Sequence, residues 1–123
     1  MRRSDQRRAA VVALYQEDLT GRESALPEPD FARELVAGVR REREELDSLI
    51  ERHAVGWTLD RIAPLERNIL RVGLYELLHR PDVPTEVAID EAVEAAKELC
   101  GLDAPGFVNG ILGAVAREEA AAT

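Results

Sequence analysis

Residues 64–79 carry apolar side chains on two faces of one helix, and this limits the fold more than any other feature. Pro64 suits a first helical turn, where its missing N–H costs nothing. Beyond it, Leu65, Ile69 and Val72 line one side, while Leu70, Leu74, Leu77 and Leu78 line another. A helix apolar on two sides has to be packed on two sides, so other helices must surround it. A chain of 123 residues is the size of one domain and can bury roughly two-thirds of its unfolded surface. The expectation is an all-α fold, a single compact bundle of six to seven helices spanning residues 1–123, with this segment at its centre.

The rest of the chain supplies the surrounding helices. Between Ser4, a potential cap, and Leu19, the residues Val11, Tyr15 and Leu19 recur every fourth position, which predicts a helix with that stripe inward. Gly21 to Pro29 breaks the pattern and reads as a loop. Asp30 is placed to cap a second helix with Phe31, Leu35, Val36 and Val39 inside. Gly38 and the run Arg40 to Glu45 mark a bend before a third, carrying Leu46, Leu49, Ile50 and His53. Trp57, in the connection 56–62, is expected to plug the core. From Thr85, the residues Ile89, Ala92, Val93, Ala96 and Cys100 share one face, with Gly101 as the C-cap. Asp103 is placed to cap a last helix whose inner face is Phe107, Val108, Ile111, Leu112 and Val115. Residues 1–3 and 119–123 are expected to fray.

Charge is divided unevenly. Arg2, Arg3, Arg7 and Arg8 with Asp5 give residues 1–16 a charge of +3, in a chain whose net charge is −8. The arginines sit at the positive end of their own helix dipole, so they do not stabilise it. That placement fits either a solvated terminus or a local anion site, because the net charge itself would repel nucleic acid. Glu86, Asp90, Glu94 and Glu98 form an acidic ridge at four-residue spacing, read either as a solvated face or as a dock for a basic partner. The sequence carries no nucleophile elbow, phosphate loop, dinucleotide fingerprint or clustered metal ligands, so the reading is a binding module with no catalytic residues, cofactor or metal. A lone Cys100, no signal-peptide core and no apolar run near the ~18 residues of a membrane span give a cytoplasmic protein as the expectation.

Several blocks, in order along nearly the whole chain, resemble one family. Arg7-Arg8-Ala9 with Ala13-Leu14-Tyr15-Gln16 looks like the opening helix of the NusB family of bacterial transcription antitermination factors. Glu66 to Val72 running into Tyr75-Glu76-Leu77, Val83-Pro84 with Val87-Ala88-Ile89, Glu91 to Lys97, and Phe107 to Leu112 agree with it. The resemblance implies an all-helical fold that binds boxA RNA of ribosomal RNA leader transcripts. It implies NusE, a small-subunit ribosomal protein, as partner within an RNA polymerase antitermination complex. Arg2, Arg3, Arg7 and Arg8 match the family's RNA-contacting arm. Asp103 and Phe107 match positions that approach RNA, although Asp103 could equally cap its helix and Phe107 equally pack in the core. Tyr15 and Glu66 match the NusE-facing surface. Asp90, where the family commonly has Asn, and Cys100-Gly101-Leu102 depart from the pattern. The family includes monomers and homodimers, and a homodimer is one of the two states open to this chain. The alternatives are a protein-interaction bundle without RNA binding, or a stand-alone relative of the helical domain fused to RNA cytosine methyltransferases, of which the chain length favours the stand-alone form.

Overall fold

The computed structural model describes residues 1–122. Among them are six α-helices, α1 (Arg3–Thr20), α2 (Asp30–Arg41), α3 (Arg43–His53), α4 (Pro64–His79), α5 (Thr85–Leu99) and α6 (Ala104–Ala122), with a short 3-10 turn at Leu59–Arg61 and no strand. The bundle expected from periodicity is what forms. α4 packs against every other α-helix, and its residues from Asn68 to Glu76 are all buried. None of the helices is long and apolar enough to cross a membrane.

Two glycines end elements by adopting a left-handed backbone. Gly21 closes α1 at φ 70°, and Gly56 turns the chain after α3 at φ 83°. Gly101 was expected to do the same for α5, but the C-cap is Cys100 in an extended conformation. The expected N-terminal caps also differ. α1 starts at Arg3, so Ser4 lies inside the helix, and Pro29 precedes α2, which leaves Asp30 as its first residue; neither helix has a side-chain cap bond. Asp103 does immediately precede α6, and its carbonyl accepts from the Phe107 N–H. At the C-terminus α6 continues through Ala122, where fraying was expected; Thr123 lies outside the described residues.

Gly38 was read as part of a bend, yet it lies within α2. Its role is space: a Cβ there would fall 2.1 Å from Cζ of Tyr75. The missing side chain lets the Tyr75 ring slide beneath α2, where its hydroxyl donates to Glu34 (2.7 Å) and accepts from Arg41 (3.1 Å). Trp57 does not plug the core. It is 52% exposed on the connection after α3, and the core is filled instead by side chains of all six helices, mostly aliphatic, with the rings of Tyr75 and Phe31.

Of the expected stripe Val11-Tyr15-Leu19, only Val11 lies on the inward face of α1. Leu19 and Val12 are exposed and Tyr15 is half-buried, while Gln6, Arg7, Ala10, Val11, Leu14 and Glu17 are buried. This face is built partly from polar residues because distant helices supply partners. Arg40 pairs with Glu17. Asp18 accepts from Asn68 Nδ2 (2.9 Å), Arg71 Nη1 (2.8 Å), Arg67 (3.1 Å) and Arg43 (2.9 Å), and the buried Arg71 also grips Asp47 (2.7 Å). Burial pushes the Asp18 carboxyl up, but the Asn68 amide and the three guanidiniums outweigh it, so its pKa lies below the usual aspartate value. These bonds fasten α1, α3 and α4 together.

Candidate nucleic-acid interface

The arginine arm is the first two turns of α1 and the residue before it. Each guanidinium already faces a carboxylate of the same chain. Arg2, largely exposed, lies 3.6 Å from Asp5. Arg3 reaches Asp82 at 3.5 Å. Arg8 grips Glu98 through Nε (2.7 Å) and Nη2 (2.8 Å), and its Nη1 donates to the Ser4 carbonyl (2.9 Å). Arg7 points inward: its Nε donates to both oxygens of Glu76 (2.7 and 3.0 Å) and its Nη1 to Glu91 (3.3 Å). The cost of placing cations at a helix N-terminus is therefore offset inside the protein. Glu76 is only 1% exposed, and burial holds its carboxyl above the usual glutamate pKa although Arg7 pulls the other way.

Sequence reasoning missed a fifth arginine at this surface. Arg80 leaves the end of α4 in a turn closed by a bond from Val83 N–H to the Arg80 carbonyl (3.0 Å). The turn brings Arg80 back onto Asp82 with two bonds, of 2.9 and 3.0 Å. The guanidiniums of Arg3, Arg7 and Arg80 stand 4.1, 5.2 and 5.1 Å from the centroid of the Phe31 ring, within cation–π range. The local signal was available, since Arg80 and Asp82 flank Pro81 in a turn. What it lacked was any hint that Phe31 and Arg3 lie alongside.

A second feature lies where α4 and α6 begin. Trp57, Arg61, Glu66, Asp103, Ala104 and Phe107 help to line an open groove of about 300 Å³. It unites Asp103 and Phe107, expected at RNA, with Glu66, expected at a protein partner. Burial and the nearby Asp103 charge both raise the Glu66 pKa. Phe107 is half-buried, its ring packed against the core as the packing alternative expected and also lining the groove. Tyr15 is not a lining residue. At about 100° per residue it shares an outward flank of α1 with Arg8, Val12 and Leu19. The end of α5 links the two features: Glu98 holds Arg8, and two residues on, the half-buried Cys100 thiol is raised by burial and by the Glu66 charge.

The acidic ridge on α5 is partly spoken for, because Glu98 pairs with Arg8 and Glu94 with Lys97 at 3.2 Å. One trio among the described residues, Glu42, Glu45 and His79, brings potential metal-ligand atoms within 4.8 Å of one another. Its members are engaged already, Glu42 with Arg41 and His79 with Glu45 at 2.7 Å.

Comparison with known proteins agrees with this fold. A family model described as the NusB family matches residues 4–117. The transcription antitermination protein NusB of Myxococcus xanthus is 43% identical over 127 residues, spanning 89% of this chain and 91% of that protein. Among solved structures, T. maritima NusB superposes with a TM-score of 0.86 at 34% identity, covering 96% of this chain and 92% of that one. A chain from the crystal structure of antitermination factors NusB and NusE in complex with dsRNA superposes with a TM-score of 0.82 at 30% identity, covering 94% and 96%. Sequence blocks, helix order and superposition thus converge, and the chain belongs to the NusB family.

Proposed function

We propose that this chain is a transcription antitermination factor that binds boxA RNA of ribosomal RNA leader transcripts jointly with NusE. It acts within the RNA polymerase antitermination complex, in the bacterial cytoplasm, to support processive transcription of ribosomal RNA. Its role is binding, not catalysis. The observation that carries this reading is the full-length likeness to the NusB of the complex with NusE and dsRNA.

The residues fall into two groups under this reading. Arg2, Arg3 and Arg8 present guanidiniums at the surface for RNA phosphates, with Arg7 holding their helix in place from beneath through Glu76. Asp103 and Phe107 supply a base-edge acceptor and a stacking ring at the groove, and such a stack is worth roughly 1–3 kcal/mol. Tyr15 and Glu66 face NusE. Because the arm's cations are matched by carboxylates, RNA binding by this chain alone is weak and becomes useful when a basic partner adds contacts.

A gel-shift of boxA RNA with this chain, with NusE and with both tests the reading. The expected result is a weak shift with the chain alone and a tight, salt-sensitive shift with both. No shift even with NusE present would leave only a protein-interaction bundle.

A further inference from the structure

We propose that Arg3, Arg80 and the ring of Phe31 form a binding site for an RNA backbone phosphate, which the carboxylate of Asp82 occupies in the free protein. The proposal rests on the RNA-binding reading and adds Arg80, Phe31 and Asp82 to it.

Two guanidiniums from separate parts of the chain, the first turn of α1 and the turn after α4, converge on one carboxylate. Arg80 binds it through two bonds of 2.9 and 3.0 Å, and Arg3 through both terminal nitrogens at 3.5 Å. Both lie over the Phe31 ring, at 5.1 and 4.1 Å from its centroid. The ring keeps both guanidinium carbons close, while their N–H groups reach past it to the one carboxylate. Arginine recognises carboxylate and phosphate by the same two-pronged geometry, so a carboxylate held this way marks where a phosphate oxygen would sit. The third guanidinium at the ring, that of Arg7, is already committed to Glu76, so the exchangeable charge lies on Arg3 and Arg80.

The site can open. The side chains of Arg3 and Asp82 are each about half exposed, at 49% and 50%. The Arg3 pair, that exposed, contributes little. Arg80 is only 19% exposed and holds Asp82 through two bonds, but the carboxylate itself is half in solvent, so a phosphate that offers Arg80 the same two-pronged geometry and brings further RNA contacts can displace it. Asp82 then acts as a resident competitor. It keeps the two arginines aligned, and it weakens RNA binding until the rest of the RNA is engaged.

The test is a fluorescence-anisotropy titration of boxA RNA into the full chain with NusE, over a salt series. Arg80→Gln is expected to lower the affinity and to flatten the slope of log affinity against log salt by about 0.7, one single-strand phosphate contact. Arg80→Lys keeps the charge and should keep the slope. Asp82→Asn, a half-exposed change that leaves the fold intact, should tighten binding by up to about fivefold. An unchanged slope for a folded Arg80→Gln protein overturns the site. So does an Asp82→Asn protein that binds no more tightly than the wild type, since Asp82 would then be only a strut for the arginines. Failure of the wild type itself to bind overturns the RNA reading instead.

Discussion

Arg7 was expected to be an RNA contact and is buried against Glu76, so replacing it with alanine should act first on stability. The substitution leaves Glu76 deep in the bundle with no guanidinium, and Glu76 is only 1% exposed. Removing one partner of a buried ion pair costs about 3–5 kcal/mol. In a chain of this length, unfolding entropy of about 2.1 cal/mol/K per residue makes each kcal/mol worth about 4 °C. The melting temperature should therefore fall by about 12–20 °C.

The loss should also depend on pH. Burial already raises the Glu76 pKa in the folded protein, and Arg7 opposes that rise. Without Arg7 the folded-state pKa climbs further. A carboxyl whose folded pKa is raised stabilises fully below its unfolded value, and that contribution is lost as pH rises through the folded value. The Arg7→Ala deficit should thus be smaller near pH 5 than near pH 8, because Glu76 takes up a proton more readily as pH falls. Thermal melts followed by circular dichroism at both pH values measure it. Replacing the pair with Arg7→Met and Glu76→Leu together should recover most of the loss, because an apolar pair of similar size needs no partner. A melting temperature within about 4 °C of wild type at both pH values would refute the burial argument.

Other substitutions probe other links. Gly38→Ala should cost about 3 kcal/mol in urea denaturation, because the added methyl meets the Tyr75 ring and displaces its hydroxyl from Glu34. Trp57→Ala should change stability by less than about 1 kcal/mol, where a core aromatic would cost about 3–5 kcal/mol, and the same urea titration distinguishes the two. Asp18→Asn should destabilise by about 3 kcal/mol at neutral pH. Because the folded Asp18 pKa is lowered, the wild-type advantage is present above the ordinary aspartate value and lost as pH falls through the folded value, so the two proteins should converge in acid. Phe107→Ala should weaken boxA binding with NusE by about tenfold if the ring stacks on a base, read by anisotropy at a temperature where the variant is still folded, since the half-buried ring also packs against the core.

The architecture was legible where local rules and tertiary packing agree. Pro64 opens α4, the run of leucines demands burial on two sides, and the helix runs from Pro64 to His79 as read. Thr85 likewise starts α5. The reading failed where partners from distant helices reverse the usual preference. On α1 an apolar stripe at four-residue spacing, Val11-Tyr15-Leu19, looked like the core face, yet Arg7 and Glu17 are inside because Glu76 and Arg40 meet them there. Trp57 looked like core because it is large and apolar, but its backbone N–H bonds back to the Ala54 carbonyl after α3 and its side chain lies on the rim of a groove. Periodicity counts apolar residues and takes no account of an ion pair that spans 69 positions. The same blindness hid Arg80, whose neighbours Arg3 and Phe31 are remote in sequence.

On the proposed reading, the matched charges explain how so acidic a chain can bind RNA. Where a guanidinium is already held by a carboxylate, an arriving phosphate exchanges one anion for another, and little free energy is gained per contact. Arg3 and Arg8 are both in this position, facing Asp82 and Glu98. RNA alone therefore meets a nearly balanced exchange together with the long-range repulsion of a net charge of −8. A basic partner alters both terms. It lowers the repulsion, and it can engage the displaced carboxylates, Glu98 above all, which stands at the end of the ridge shared with Glu86, Asp90 and Glu94. On the proposed reading, the acidic body is what makes RNA binding conditional on NusE, because displaced carboxylates find new partners only when NusE is present.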